Sequence, residues 1–144
     1  ALPVCQGIYT LTGTALIMQV ILTISAYLLQ IWIHPETRGL EPSYEQKTIK
    51  HKTGEFVIIG DRHGGDDAVT IHQDVKMLVA KLEDGNETSY TFEKGRGGFL
   101  HLAKGSITLN GELLKEGDGA EISETNTITL KAQADSEILL FDLA

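Results

Sequence analysis

The stretch "SITLNGELL", residues 106–114, constrains the fold more than any other part of this chain. Asn110-Gly111 stands between two runs rich in alternating apolar residues. A two-residue type I′ turn needs positive φ at both central positions, which Asn and Gly supply at little cost. Ile107 and Leu109 then share one face of a strand and Thr108 takes the other, as in a sheet with one buried side. Similar punctuation recurs from Glu55 onward. Turn signals fall at Asp61 to Asp67 ("DRHGGDD"), Asp84-Gly85-Asn86, Gly95 to Gly98 and Gly117-Asp118-Gly119. Between them, short runs read as strands: Phe56–Ile59, Ala68–His72, Lys76–Glu83, Thr88–Phe92, Phe99–Ala103, Ser106–Asn110, Thr127–Ala132 and Glu137–Leu143. The last run is nearly all apolar and reads as a strand covered on both sides. No amphipathic helix is evident after Ile33, so the chain reads as all-β, a sandwich or small barrel.

Charge divides the sequence near His34. All 12 Lys and Arg and all 20 Asp and Glu lie beyond Ile33, an asymmetry unusual within one domain. With 144 residues, the chain is long enough to bury a core without disulfides or metal. A net charge of -8 and the lack of a Lys/Arg cluster argue against a nucleic-acid partner or an anionic lipid surface. The single cysteine, Cys5, has no internal disulfide partner, which fits a reducing, cytoplasmic setting. Asn86-Glu87-Thr88 matches the glycosylation sequon, which matters only in a secreted protein.

The uncharged stretch Leu11 to Ile33 is long enough to cross a bilayer as a helix, for which about 20 apolar residues suffice. Gln19, Gln30 and several Thr and Ser residues dilute it, and no Lys or Arg precedes it to orient insertion. Membrane insertion is therefore disfavoured. A signal peptide is disfavoured too, because the positive n-region is missing.

Four segments carry a family resemblance: "AYLLQIWIHPETRGLEPSYEQK", "VTIHQDVKMLVAKLEDG", "GSITLNGELLKEGDGAEIS" and "DSEILLFDLA". In this order they resemble the second half of bacterial pirin-like proteins, over residues 26–144. The resemblance implies three parts. Residues 1–25 are an atypical apolar segment, for which a helix is one reading. Residues 26–50 are a strand and linker from an N-terminal cupin. Residues 51–144 are a C-terminal cupin, the double-stranded β-helix or jelly-roll barrel. It also implies a bicupin parent whose activity is metal-dependent cleavage of quercetin by oxygen. In that family the metal, iron or a related ion, sits on three His and one Glu of the N-terminal cupin, an open site. No His-x-His occurs in this sequence and no His precedes His34, so none of those ligands carries over.

The abrupt end of the resemblance near Ala26 has one specific account. If "QVILTI" were encoded CAA GTG ATT TTA ACC ATC, reading from the third base gives Ser-Asp-Phe-Asn-His, close to the family segment. The hypothesis is that residues 1 to about 25 derive from a shifted frame of a pirin-like gene. The nucleotide sequence decides it: an alternate frame encoding cupin-like protein is expected, and none doing so ends the idea.

A working cupin needs a His-x-His pair on one strand face, a Glu a few residues on, and a further His. By the resemblance, the pair falls near Tyr90-Thr91-Phe92 and the last His near Asn126, which lack the required chemistry. The weak metal candidates are His72 and His101, both on expected strands, with Glu93 as a third group. No catalytic or cofactor-binding residue is expected. "DRHGGDD" lacks the ligand order of a calcium loop and reads as a solvated turn. "EKGRGGF" lacks the Gly-Lys-Ser/Thr ending of a phosphate loop. No nucleophile elbow occurs.

The expected function is that of a pirin-like C-terminal cupin that is not itself catalytic, with no cofactor in this chain. Alternatives are a metal-dependent dioxygenase or isomerase, or a small-molecule-binding cupin, using this barrel, and a membrane-anchored β-domain. Expected partners are a small aromatic ligand and a second copy of the chain. The second copy would be recruited through the edge of Tyr27–Ile33, where Leu29, Ile31 and Trp32 would lie exposed.

Overall fold

The computed structural model describes residues 2–4, 9–10, 16–21, 28–50 and 52–144, and among them every helix or strand element is a strand. In chain order these are β1 (Leu2–Val4), β2 (Tyr9–Thr10), β3 (Leu16–Ile21), β4 (Leu28–Ile33), β5 (Lys47–Ile49), β6 (Phe56–Asp61), β7 (Val69–Thr70), β8 (Val75–Leu82), β9 (Glu87–Thr91), β10 (Gly97–Lys104), β11 (Ser106–Leu109), β12 (Glu112–Lys115), β13 (Gly119–Ile122), β14 (Thr127–Ala132) and β15 (Ser136–Leu143). Each of the eight expected strands overlaps an observed one. The chain forms two compact units, one of Ala1–Lys50 with Ile59–Val75, the other of His51–Ile58 with Lys76–Ala144.

In the second unit two antiparallel sheets enclose the core. One runs β13-β10-β15-β8 and the other β12-β11-β14-β9. Strict alternation along β14 buries Ile128, Leu130 and Ala132, while Thr127, Thr129 and Lys131 face outward. The facing sheet contributes Leu78, Ala80, Leu100, Leu102, Ile138 and Leu140 to the same cluster. Each fully buried aliphatic side chain of this kind contributes about 1.5–3 kcal/mol. β15 is buried on both faces at Ile138, Leu139 and Leu140, which explains its near-continuous apolar sequence.

Two turns show what local sequence dictates. Asn110 (φ 48) and Gly111 (φ 90) make the expected hairpin between β11 and β12. Asn110 Oδ1 also accepts from Thr129 N at 2.8 Å, fastening the hairpin to the next strand. Gly105 (φ 93) sits at a tighter place, where an added Cβ would lie 2.3 Å from Ser136 Oγ and 2.4 Å from the Asp135 carbonyl. That hydroxyl accepts from Ser106 N at 3.1 Å and donates to backbone carbonyls, so it has no room to move.

In the first unit, β6 and β7 pair in parallel with Gly60 opposite Val69, and Ile59, Val69 and Ile71 are buried. The segment after β4 is tied to residues 61–73. Glu36 N donates to the His72 carbonyl at 2.9 Å, and Arg62 Nη2 pairs with Glu36 at 2.7 Å. Gln73 Nε2 donates to the His34 carbonyl at 2.9 Å.

Two expectations need correction. The described parts of the apolar N-terminal stretch are strands and not helix: β3 and β4 pair antiparallel, Gln19 opposite Gln30. β-branched Ile17, Val20 and Ile21 favour the extended chain over the helix. No helix among the described residues is long and apolar enough to cross a membrane. The expected exposure of β4 is confined to one face. Trp32 is 61% exposed, whereas Leu29 and Ile31, on the other face, are half-buried. Tyr27 lies outside the described residues.

The two glycines make an internally controlled prediction. Both have positive φ, but an added Cβ at Gly111 meets nothing within 4 Å. Gly105→Ala is expected to cost about 3 kcal/mol or more in urea unfolding, from strain plus overpacking. Gly111→Ala is expected to cost about 1 kcal/mol, from backbone strain alone. Equal losses would show that crowding against Ser136 is not what matters.

Candidate functional site

The place to look for chemistry is the inward face of β9, the strand on which a working cupin of this resemblance would be expected to carry a His-x-His pair. Thr88 and Tyr90 turn inward on this strand, Phe92 beyond it is buried, and Glu87, Ser89 and Thr91 are exposed. The i, i+2 relation that a metal pair needs is thus preserved, but its groups are a phenol and a phenyl ring. Tyr90 and Phe92 meet edge to face at 5.0 Å and 83°, and Phe56 packs on Tyr90 at 5.8 Å and 67°. Asn126, where a further imidazole would be needed, has an amide side chain and lends its carbonyl to Phe92 N at 2.7 Å.

Beside these rings lies an ion pair. Asp142, on β15, has a side chain only 1% exposed. Arg96 Nε donates to its Oδ1, Arg96 Nη2 donates to its carbonyl at 3.1 Å, and Tyr90 Oη donates to its Oδ2 at 2.6 Å. Burial raises the pKa of the Tyr90 phenol far above its ordinary range, and the hydrogen bond to Asp142 and that group's charge push the same way. The phenol therefore stays protonated and serves as a donor, not as an anionic ligand. "EKGRGGF" becomes a tight turn, with Arg96 N donating to the Glu93 carbonyl at 3.1 Å. Its cationic side chain is committed to Asp142.

The other candidate groups are placed as follows. His101 lies on β10 on the face opposite the core residues Leu100 and Leu102, so it does not enter the barrel interior. His72 belongs to the first unit, where its carbonyl accepts from Glu36 N. Glu93 pairs with Lys76 at 2.8 Å. Cys5 and His51 lie outside the described residues. Among the described residues no three His, Cys, Asp or Glu side chains come together as a metal site.

The loop "DRHGGDD" does gather oxygens around a cation, and the cation is a lysine. Lys47 Nζ donates to the Gly65 carbonyl and, at 2.8 Å, to the Ala68 carbonyl. It also pairs with Glu45 at 3.0 Å. Burial tends to raise the Glu45 carboxyl, but the bond from Thr70 N at 2.9 Å and the Lys47 ammonium outweigh it and hold the group below its ordinary range. Lys50 pairs with Asp67 at 3.5 Å, and Asp61 Oδ1 accepts from His63 N at 2.8 Å. Sequence reading missed Lys47, because nothing local links it to carbonyls 18 and 21 residues away.

A crevice of about 240 Å³ in the second unit is lined by Lys81, Lys104, Glu83, Asp135 and Glu137 among others.

The two facing sheets of the second unit form the β-barrel of a cupin. The model of the family described as the quercetinase C-terminal cupin domain matches residues 58–143, and the chain belongs to that family, within the pirin-like proteins of quercetin 2,3-dioxygenase type. Similar proteins include a putative quercetin 2,3-dioxygenase of Zymomonas mobilis, 37% identical over 78% of this chain and 49% of that protein. The quercetin 2,3-dioxygenase of Escherichia coli K12 is 32% identical over 81% of this chain and 50% of its own length. The crystal structure of YhhW from Escherichia coli superposes with a TM-score of 0.76 at 31% identity, covering 81% of this chain and 50% of that one. The same bacterial pirin has also been solved in complex with nickel(II), at a TM-score of 0.75. The chain spans about half the length of the curated relatives it matches. A transition ion does not fit the inward face of β9, which offers an un-ionised phenol and a hydrocarbon ring.

The network makes a graded prediction. Asp142→Ala removes the buried carboxylate that Arg96 Nε meets, and about 3–5 kcal/mol of stability is expected to be lost in urea unfolding. Tyr90→Phe keeps the ion pair and the ring, and is expected to cost only about 1 kcal/mol. Similar losses for both would mean that the hydroxyl, not the ion pair, holds this end of the barrel.

Proposed function

We propose that this chain acts as a non-catalytic cupin lobe of a pirin-type protein. On this reading, the dioxygenase chemistry for which its relatives are named, with its divalent metal, belongs to the half of those proteins outside the match. The observation that carries the reading is the filling of β9's inward face by Tyr90 and Phe92, backed by the Arg96–Asp142 pair. Oxygen chemistry on a flavonol needs a Lewis-acidic or redox-active ion with an open position, and these side chains neither ligate one nor leave it room. The lobe's work is then to complete and support a larger assembly in a cytoplasmic setting, consistent with its one cysteine.

The test is metal analysis of the purified chain together with a flavonol-bleaching assay. Substoichiometric iron, nickel and copper and no bleaching above the buffer rate are expected, including after incubation with each metal. Stoichiometric metal with turnover would assign the chemistry to this barrel and overturn the proposal.

A further inference from the structure

Three charges stand side by side at one end of the sheet that holds β10, β15 and β8. Lys104 on β10, Glu137 on β15 and Lys81 on β8 all line the crevice of about 240 Å³ in the second unit. A β-bulge puts Lys104 there. Leu102 pairs with Ile138, and after one extra residue Lys104 pairs with Glu137. Strict alternation would set Ala103 opposite Glu137 and leave Lys104 on the core side with Leu102. The bulge therefore turns an ammonium onto the carboxylate's face, the kind of re-aiming that bulges supply beside binding sites.

These two register partners do not meet each other. The Glu137 side chain is only 13% exposed, yet its ion-pair partner, Lys81 Nζ, is 3.6 Å away, beyond hydrogen-bond reach. Among the described residues no donor bonds to this carboxylate and no acceptor bonds to Lys104. A carboxylate so far out of water is normally met by donors. The groups around it are engaged elsewhere. Asp135 Oδ1 accepts from Asp84 N at 3.0 Å, the Ser136 hydroxyl donates to the carbonyls of Ser106 and Ala134, and Lys52 pairs with Glu55.

We propose that this crevice binds a small amino-acid zwitterion, with the ligand's ammonium on Glu137 and its carboxylate on Lys104. One unmet anion and one unmet cation on adjacent strands call for a ligand carrying one of each. A simple amine would face Lys81 and Lys104, and a simple acid would face Glu83, Asp135 and Glu137. The volume lies below the roughly 300 Å³ at which drug-sized pockets begin, which limits the guest to a few carbons. Exposed Glu83 and Asp135 disfavour a second carboxylate, so L-alanine suits the crevice and L-glutamate does not. Glu137 lies on the face of β15 opposite the core residues Ile138 and Leu140. The site is thus separate from Tyr90 and Phe92, and it stands whether or not the barrel holds a metal.

The test is backbone-amide NMR of the full chain titrated with L-alanine. Saturable shifts are expected at Lys81, Lys104 and Glu137, while Thr129 on the facing sheet stays unmoved. Acetate alone and methylammonium alone are expected to give only weak shifts that do not saturate. Lys104→Met and Glu137→Gln are each expected to weaken L-alanine binding at least ~tenfold, about the worth of one charge-assisted hydrogen bond. No saturation with L-alanine overturns the proposal, and is the result expected if Lys104 turns directly onto Glu137. Saturation by acetate or methylammonium as tight as by L-alanine overturns it too, by assigning the crevice to a single ion. Unchanged affinity in Lys104→Met does the same. Thermal unfolding checks that each variant folds; if either does not, the comparison of L-alanine with its two half-ligands on the unaltered chain decides.

Discussion

A carboxylate removed from water must be met by donors, and that of Asp142 is met on one oxygen by Arg96 Nε and on the other by Tyr90 Oη, while Arg96 Nη2 takes the main-chain carbonyl. Much of what distinguishes this barrel follows from that constraint. Arg96 is drawn out of the β9–β10 turn toward the interior, which removes it from any role at the surface. Tyr90 is fixed with its hydroxyl toward the carboxylate, and its ring then presents an edge to Phe92 and a contact to Phe56. Replacing any one of these groups by an imidazole changes the partners of the others. The interior is a linked set, and its parts are not independent fillings of a metal cavity.

The backbone of β9 offers the spacing a ligand pair would use, and the side chains at that spacing are aromatic. In a strand only alternate residues share a face, so two ligands for one ion must be separated by one residue. Positions 90 and 92 keep that spacing and orientation. Family membership and chemistry are read from different features: the fold specifies where groups point, and the identity of the groups specifies what they do.

The parts legible in the sequence are those decided over short distances. Asn110-Gly111 announced its hairpin because the φ requirement is local. The continuous apolar run of β15 announced a strand buried on both faces. β13 was missed because it is four residues long and follows a Gly-Asp-Gly turn that masks its alternation. β5 was missed for the same brevity. The candidate site was legible only as an absence of imidazoles. What stands in their place was not, since Arg96 and Asp142 are separated by 46 residues and meet only when β10 and β15 pair. Lys47 is a similar case. A lone lysine beyond a polar linker carries no sign that it will serve as the cation of an acidic loop.

Chemical substitution inside a barrel also changes what holds it shut. A metal centre secures its strands through a few strong bonds that depend on the ion's presence. Two aromatic side chains secure them through buried area, about 150–250 Å² each, which at about 25 cal/mol per Å² amounts to roughly 4–6 kcal/mol per ring as an upper bound. That contribution is made on folding and needs no cofactor. An imidazole pair at 90 and 92 would surrender most of it, remove one donor from Asp142 and still lack the further His and Glu. The rings at 90 and 92 thus act through packing and through Tyr90's bond to Asp142 together, so a single substitution at either position disturbs both contributions.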